Sequence, residues 1–191
     1  MNAEQYYKSE KLLKHLDRLY EWDKKGYCSP ILIDLDLTDR CNNKCPRCLY
    51  KETNQNRYTI EFETAKRLIS EISEFGAKAI TFAGGGEPSC HPNLEEIIKF
   101  SKEHGLEVAL FTNGLNLKDS LIDTIVNTCT WIRVSVDADG PEIYNLTHGM
   151  NEAAFYKVIG NISKITETKK RLNKNLVVGV GYLIGPQSFK G

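Results

Sequence analysis

Three cysteines lie close together in the segment CNNKCPRC, at Cys41, Cys45 and Cys48. Thiolates are the ligands that zinc and iron–sulfur clusters take in proteins. Closed structural zinc sites and cubane clusters normally use four protein ligands, so three thiolates leave one coordination position open. On zinc that position would hold water, whereas on a cluster it would leave one iron open to an external ligand. The spacing therefore predicts a metal or cluster site whose last ligand comes from elsewhere.

A second group of residues with potential for ligand binding is the segment GGGEP, which runs from Gly84 to Pro88. Glycine lets the backbone approach a ligand closely because no side chain intervenes, and Glu87 adds a carboxylate. Polar side chains also occur in TNG at residues 112–114 and in VSVDAD at residues 134–139. Each of these segments follows a predicted strand, so we expect all of them to gather at the carboxyl edge of one sheet.

The elements that would position these residues alternate along the chain. Apolar runs predict a buried strand at residues 30–38 and further strands in AKAITFAGG, LEVALFTNG, WIRVSVDAD and NLVVGVGYLIG. Helical periodicity predicts helices near residues 60–75, 93–104, 120–127 and 151–171, and a leading helix at about residues 3–25 that stops at Gly26. Strict alternation of strands and helices predicts an α/β fold in which parallel strands pair through right-handed crossovers.

Composition narrows the class of protein and its partners. The chain has 191 residues with 25 basic and 25 acidic side chains, so no overall charge favours nucleic acid or an anionic membrane as a partner. No apolar run approaches the roughly 20 residues of a membrane span, and the charged N-terminus is unlike a signal peptide. We therefore predict a cytoplasmic protein without a membrane partner, whose thiols are kept reduced.

Taken together, the motifs resemble those of the radical S-adenosylmethionine (radical SAM) enzymes. Cys41, Cys45 and Cys48 fit the Cys-x-x-x-Cys-x-x-Cys signature of that superfamily. The resemblance implies a partial (β/α) barrel, with about five of the usual six units present. It also implies that each cysteine binds one iron of a 4Fe-4S cluster, and that the amino and carboxylate groups of S-adenosylmethionine (SAM) bind the fourth iron.

The resemblance also assigns roles to residues that would contact SAM. The glycine and glutamate motif, whose backbone would hold the SAM amino group, matches Gly84, Gly85, Gly86 and Glu87. TNG, with Asn113 at its centre, matches the end of the third strand. The other matched residues are Ser135 and Asp137, for the methionine carboxylate or the ribose, and Leu183 in GYLIGPQS, which loosely matches an adenine-contacting pattern with Ser188 at the usual glutamate.

Two features depart from the pattern of the superfamily. Arg47 stands before the third cysteine, where an aromatic residue usually packs on adenine. A guanidinium also stacks on rings, Tyr50 is an alternative stacking residue, and a solvated surface arginine is the remaining interpretation. The chain also stops after the fifth strand, before the usual sixth unit. We expect either a fragment or a naturally shortened barrel that a partner covers.

The domain prediction follows from these elements. It places an N-terminal helix at residues 1–27 and a radical SAM partial barrel, incomplete at its C-terminal end, at residues 28–191. The fifth strand would then have an open edge, which we expect to be covered either by self-association through residues 177–184 or by the N-terminal helix.

The resemblance predicts an enzyme that cleaves SAM reductively to a 5'-deoxyadenosyl radical, which takes hydrogen from a substrate. It implies a one-electron reductant of the flavodoxin or ferredoxin type. Similarity to SPASM or twitch-type enzymes points to a peptide or carbohydrate substrate. Two alternatives from other classes are a non-catalytic iron–sulfur or electron-transfer module and a zinc hydrolase. The spacing of residues assigns no role to Cys90, His91 or His148.

Overall fold

The computed structural model describes residues 13–50, 58–186 and 188–189. The helices are α1 (Leu16–Lys25), α2 (Phe62–Glu74), α3 (Leu94–Glu103), α4 (Asp119–Thr128), α5 (Pro141–His148) and α6 (Glu152–Arg171). The strands are β1 (Leu32–Asp36), β2 (Ala79–Ala83), β3 (Glu107–Thr112), β4 (Cys129–Ser135) and β5 (Val177–Gly181). They form one five-stranded sheet in the order β1-β2-β3-β4-β5, and every neighbouring pair is parallel.

The helices that connect the strands pack on one face of the sheet. Strands in consecutive order, joined by right-handed crossovers, place each connecting helix on the same side. The core lies between that face and the helices, and its strand residues Phe82, Leu110 and Val134 are fully buried. This singly wound arrangement confirms the predicted α/β fold and is consistent with a partial barrel.

The opposite face of the sheet, here called the inner face, carries the alternate residues of each strand. One row across it contains Asp34, Thr81, Ala109, Trp131 and Val177, which pair in that order. The next row toward the carboxyl edge includes Phe111, Arg133 and Gly179. The inner face is therefore mixed in character, with charged, aromatic and small residues in neighbouring positions.

The sequence predicted that β1 would be buried, but the structure shows it only partly buried. Its burial alternates, with Ile33 and Leu35 packed against the core while Leu32 is 49% exposed and Asp34 and Asp36 are also exposed. The reason is that β1 is an edge strand, so only its helix-facing side chains are covered.

Helix α5 was not predicted, because its segment was interpreted as a polar loop. Its end signals are present in the sequence. Pro141 occupies the first helical turn, where the missing N–H is tolerated. Gly149 ends the helix with φ of 64°, in the left-handed region that glycine favours.

Helix α1 is the described part of the predicted leading helix, since residues 1–12 lie outside the described residues. It ends at Gly26 as predicted, with φ of 76°. The Arg18 guanidinium donates a hydrogen bond to the Gly76 carbonyl at 2.7 Å, which ties α1 to the turn before β2. Covering of β5 by this helix stays a prediction. No helix in the described ranges combines the length and apolarity needed to cross a membrane.

Candidate functional site

The cysteine loop, residues 39–48, leaves the carboxyl end of β1 through buried residues. Thr38 donates its hydroxyl to the Tyr58 carbonyl at 2.9 Å and accepts the Arg40 N–H at 3.1 Å. The Leu37 carbonyl accepts the Ile60 N–H at 2.9 Å. The segment before α2 therefore fixes the direction in which the loop starts.

The three cysteines of the loop influence one another electrostatically. Burial, followed by the negative charges of Cys41 and Cys48, raises the pKa of the Cys45 thiol to about 11. Burial also raises the pKa of Cys41, while N–H groups of Asn43 and Asn113 directed at its sulfur oppose that effect. The Cys48 N–H donates to the Cys45 carbonyl at 3.3 Å, so a turn joins the second and third thiols. Nearby thiolates of this kind need a cationic centre to balance their charge.

The donors do not converge on one point. Among the described residues, no three His, Cys, Asp or Glu side chains are placed to hold a single metal ion. One zinc ion would require every sulfur at about 2.3 Å from a common centre, whereas a cluster accepts each thiolate on a different iron. The two alternatives therefore differ in the convergence of sulfur atoms that they require.

The glycine-rich segment touches the cysteine loop through Gly86. A Cβ atom built on Gly86 would lie 2.4 Å from the Arg40 carbonyl oxygen and 2.5 Å from the Thr38 carbonyl oxygen. The next residue, Glu87, donates its N–H to the Arg40 carbonyl at 2.8 Å. Gly85 donates its N–H to the Asp36 carboxylate at 3.1 Å, beside Gly84. Only a residue without a side chain allows this approach of the two loops at Gly86.

The side chain of Glu87 is buried and turned into the protein, with 3% of its surface exposed. One carboxylate oxygen accepts the Thr112 hydroxyl at 2.6 Å and the Ser89 N–H at 3.0 Å, and the other accepts the Asn113 N–H at 2.7 Å. Three donors leave this carboxylate engaged within the chain. Glu87 therefore connects the glycine-rich segment to TNG through its side chain, while its backbone N–H connects the same segment to the cysteine loop.

Asn113 extends this connection to the cysteines. Its side-chain N–H₂ group donates to the Asn42 side-chain carbonyl at 2.6 Å and lies 3.9 Å from the Cys41 sulfur. Its own side-chain oxygen accepts the Leu115 N–H at 3.0 Å. The structure thus brings Cys41, Glu87 and Asn113 into one hydrogen-bonded network, as expected for motifs at the carboxyl edge of neighbouring strands.

Asp137 and Leu183 also meet at this edge. Asp137 has a φ of 50°, unusual for a residue with a side chain, and one carboxylate oxygen accepts the Leu183 N–H at 2.5 Å. Half-buried Ser135 ends β4 on the inner face. Ser188 donates its hydroxyl to the Leu183 carbonyl at 2.8 Å and so closes the turn after β5. Their contacts with SAM stay predictions.

Arg47 and Tyr50 both lie exposed at the end of the cysteine loop. Among the ring contacts of the described residues, none involves the Arg47 guanidinium. The structure therefore places both residues at the surface of the loop, and stacking on adenine stays a prediction for either one.

The end of α5 is a part of the site that the sequence interpretation missed. The Lys44 N–H donates to the His148 carbonyl at 3.1 Å, and a Cβ atom on Gly149 would lie 2.4 Å from the Lys44 carbonyl oxygen. His148 is buried and stacks on Tyr144 with ring centroids 4.3 Å apart. Burial lowers the pKa of His148, and the Asp137 carboxylate, 3.7 Å away, opposes that effect. Gly149 was the sequence signal that could have identified the end of α5 and so its contact with the cysteine loop, because glycine commonly ends helices.

Asn43, on the cysteine loop, meets Tyr144 of α5. Burial raises the pKa of Tyr144, while a side-chain hydrogen bond with Asn43 opposes that effect. The two polar side chains therefore face each other and add to the contact between the cysteine loop and α5.

Cys90 and His91 follow the glycine-rich segment. Burial, then the charges of Glu87 and Cys41, raises the pKa of Cys90 to about 11, and its sulfur accepts an N–H bond from Asn42. The His91 ring bonds the Ile60 carbonyl at 2.8 Å and accepts the Asn93 N–H at 3.1 Å. Both side chains therefore support the loops around the site.

Comparison with known proteins gives consistent matches. The family model described as the Radical SAM superfamily matches residues 35–183. A 7,8-dihydro-6-hydroxymethylpterin dimethyltransferase from Methanocaldococcus jannaschii is 33% identical over 160 residues, which cover 78% of this chain and 31% of the relative. An AdoMet-dependent heme synthase from Methanosarcina barkeri is 30% identical over 136 residues, which cover 70% of this chain and 38% of the relative.

A solved structure shares the fold. The crystal structure of Streptococcus suis SuiB bound to precursor peptide SuiA matches with a TM-score of 0.70 and 14% identity. The match covers 95% of this chain and 40% of SuiB. The chain therefore spans less than half the length of these three matched proteins.

Proposed function

Because the chain belongs to the radical SAM superfamily, we propose that it binds a 4Fe-4S cluster and SAM and uses them for radical chemistry on a substrate. The cluster would be held by Cys41, Cys45 and Cys48. The observation that carries the proposal is that Gly86 and Asn113, from two further strand ends, both reach the cysteine loop.

When bound, the cluster and SAM would supply the radical chemistry that removes hydrogen from a substrate. The chain's own residues hold and orient them. N–H groups of Asn43 and Asn113 are directed at the Cys41 sulfur and stabilise its thiolate form. Glu87 keeps the Asn113 backbone in place, which fixes the direction of the Asn113 amide.

The contact at Gly86 also serves the proposed reaction. The close approach of Gly86 to the backbone of Thr38 and Arg40 holds the start of the cysteine loop against the glycine-rich segment. The backbone of residues 84–87 would then present its polar groups to the SAM amino group. Ser135, Asp137 and Leu183 would contact the remainder of SAM, and Arg47 or Tyr50 would stack on its adenine.

The alternative from another class is an iron–sulfur module that carries electrons without cleaving SAM. Such a module would need the three thiols but no cradle for SAM. The narrow contact at Gly86 and the buried Glu87 network favour the enzyme, because both organise residues outside the cysteine loop.

Partners and substrate form a further part of the proposal. The chemistry requires a one-electron reductant, which we propose to be of the flavodoxin or ferredoxin type. The relatives' names refer to a pterin and to heme synthesis, whereas SuiB was solved with a peptide. Because the molecules named for these proteins differ from one another, the proposal of a peptide or carbohydrate substrate rests on the sequence resemblance. We also propose that residues 28–191 form the radical SAM barrel domain after an N-terminal helix at residues 1–27.

The test of the proposal is anaerobic reconstitution of the chain with iron and sulfide. We expect about four irons and four sulfides per chain, SAM binding by equilibrium dialysis, and release of 5'-deoxyadenosine on reduction. Cys45→Ala should abolish the cluster, whereas Cys28→Ala, which removes a thiol before β1, should retain it. Zinc without sulfide in freshly prepared anaerobic protein would contradict the proposal. A cluster without SAM binding would favour the electron-transfer module.

A further inference from the structure

Arg133 lies on the inner face of β4 and is held by an aromatic ring. Its guanidinium carbon is 4.0 Å from the centroid of the Phe111 ring, on the neighbouring strand β3. The Trp131 ring also packs against the Phe111 ring, in an edge-on geometry with ring centroids 4.8 Å apart and an interplanar angle of 74°. The guanidinium is thus placed by aromatic packing rather than by a carboxylate.

The charge of Arg133 is not balanced nearby. None of the ion pairs among the described residues includes it, and its side chain is exposed. On the inner face, Asp34 and Asp36 lie on β1, with two strands between them and β4. Glu107, at the start of β3 on the same face, forms an ion pair with Lys102 at 3.0 Å.

Strand β5 leaves the other flank of Arg133 open. Gly179 pairs with Arg133 across the strands, and a Cβ atom on Gly181 would lie 3.6 Å from the Arg133 Nε atom. A larger residue at position 181 would place its side chain beside the Arg133 Nε atom. With glycine there, no side chain from position 181 covers that flank of the guanidinium.

We propose that Arg133 binds an anionic group of the substrate, a carboxylate or a phosphate, on the inner face of the sheet. This rests on the proposed function, which requires a substrate near the cysteine loop. A guanidinium whose plane is fixed on a ring presents its N–H groups as a preorganised fork, which matches the oxygens of either anion.

The site neighbours the positions assigned to SAM. Ser135, which the resemblance assigns to the methionine carboxylate or the ribose, pairs with Gly181 across the strands. Because a Cβ atom on Gly181 would lie 3.6 Å from the Arg133 Nε atom, the Arg133 side chain extends toward the carboxyl edge. An anion at Arg133 would therefore lie beside the cofactors, where a substrate must bind.

Trp131 offers a direct probe of the site, because the chain has two tryptophans and the other, Trp22, is exposed on α1. In the variant Trp22→Phe, fluorescence reports Trp131 alone. Titrations with inorganic phosphate and with acetate, each compared with chloride at equal ionic strength, would measure anion binding to the reconstituted chain and to the cluster-free chain. The anion that saturates at the lower concentration would identify the substrate group as phosphate or carboxylate.

The variants are made in the Trp22→Phe background. Arg133→Gln should weaken anion binding by about tenfold or more, since it removes a charged hydrogen-bonding group. Arg133→Lys should retain only part of the affinity, because the point charge lacks the fork. Arg67→Gln, which removes an exposed arginine from α2, is the matched control and should leave binding unchanged.

The same samples separate this inference from the proposed function. If cluster content and SAM cleavage are normal but neither anion saturates the Trp131 signal, the Arg133 site is refuted while the enzyme assignment stands. Equal anion affinity in Arg133→Gln and its parent would refute it as well. A parallel loss of SAM and anion affinity would also overturn it, because Arg133 would then serve the cofactor. If the chain fails to assemble a cluster on anaerobic reconstitution but still binds an anion saturably, the Arg133 site is upheld and the enzyme assignment is contradicted.

Discussion

Substituting Gly86 with alanine tests whether the contact between the glycine-rich segment and the cysteine loop builds the site. The backbone of Gly86 lies outside the left-handed region, so alanine tolerates its conformation and only the added methyl group matters. That methyl carbon would meet backbone atoms of Thr38, Asp39 and Arg40 at 2.4–2.5 Å. These are main-chain atoms, so no flexible side chain is available to move aside.

The size of the effect follows from these distances. An ordinary contact begins near 3.4 Å, so one of the two segments must retreat by about 1 Å. A shift of that size would stretch the Glu87 N–H bond to the Arg40 carbonyl, now 2.8 Å, beyond hydrogen-bonding range. Overpacking costs about 1–3 kcal/mol and the lost bond about 1 kcal/mol. We expect the free energy of unfolding to fall by about 2–4 kcal/mol.

The effect on the reaction should be comparable in free energy with the effect on stability, because a 100-fold loss of rate corresponds to about 2.7 kcal/mol. Displacing reacting groups by about 1 Å lowers rates by about 100-fold, so SAM cleavage by Gly86→Ala should fall by that order under conditions where the chain is folded. Urea unfolding measures the free energy of unfolding, and 5'-deoxyadenosine release after reconstitution measures the rate of SAM cleavage.

Gly160→Ala is the matched control for Gly86→Ala. Gly160 lies inside α6, and a Cβ atom there would meet nothing within 4 Å. Alanine should stabilise that helix by about 0.5–1 kcal/mol and leave SAM cleavage unchanged. Wild-type stability together with wild-type cleavage in Gly86→Ala would refute the claim that this contact positions the site.

Three further predictions concern Glu87, His148 and the open edge of β5. Glu87→Gln should lower the free energy of unfolding by about 1–3 kcal/mol, because an amide N–H₂ group would replace an oxygen that accepts a hydrogen bond; urea unfolding at the parent's value would contradict this. The pKa of His148 is lowered by burial from its usual 6.5, so stability should be fully present above pH 6.5 and decline as pH falls below it. His148→Gln should flatten that decline in unfolding measured between pH 5 and 7, and an unchanged slope would assign the decline to other groups. Val180 is 54% exposed on β5, and if the chain associates through this edge, Val180→Lys should lower the mass measured by light scattering; a monomeric parent would rule out this mode of association.

Local spacing explains why the cysteine motif could be predicted from the sequence. Cys41, Cys45 and Cys48 lie on one short loop, so their separation along the chain limits their separation in space. The alternation of strands and helices was likewise strong enough to give the number of strands and their parallel pairing, whereas the barrel arrangement was implied by the resemblance. Both signals depend on neighbours in sequence.

The partners of individual side chains could not be predicted in this way. Glu87 accepts bonds from Thr112 and Asn113, which lie on the next strand and have no fixed spacing from it. Residue type alone suggested a ligand contact for this carboxylate, whereas the fold directs it inward. Helix α5 was missed because it is only eight residues long, so its helical periodicity is weak.

The cysteine loop contains no helix or strand in its described residues, so its shape must be imposed by its surroundings. Four contacts do this: Thr38 with the segment before α2, Gly86 against Arg40, Asn113 on Asn42, and the end of α5 on Lys44. Each comes from a different part of the chain, and most involve backbone atoms, which permit little adjustment. The arrangement of the thiols is thus a property of the whole carboxyl edge of the sheet. It follows that substitutions at these anchors should disturb a bound cluster even though none of the anchors is a ligand.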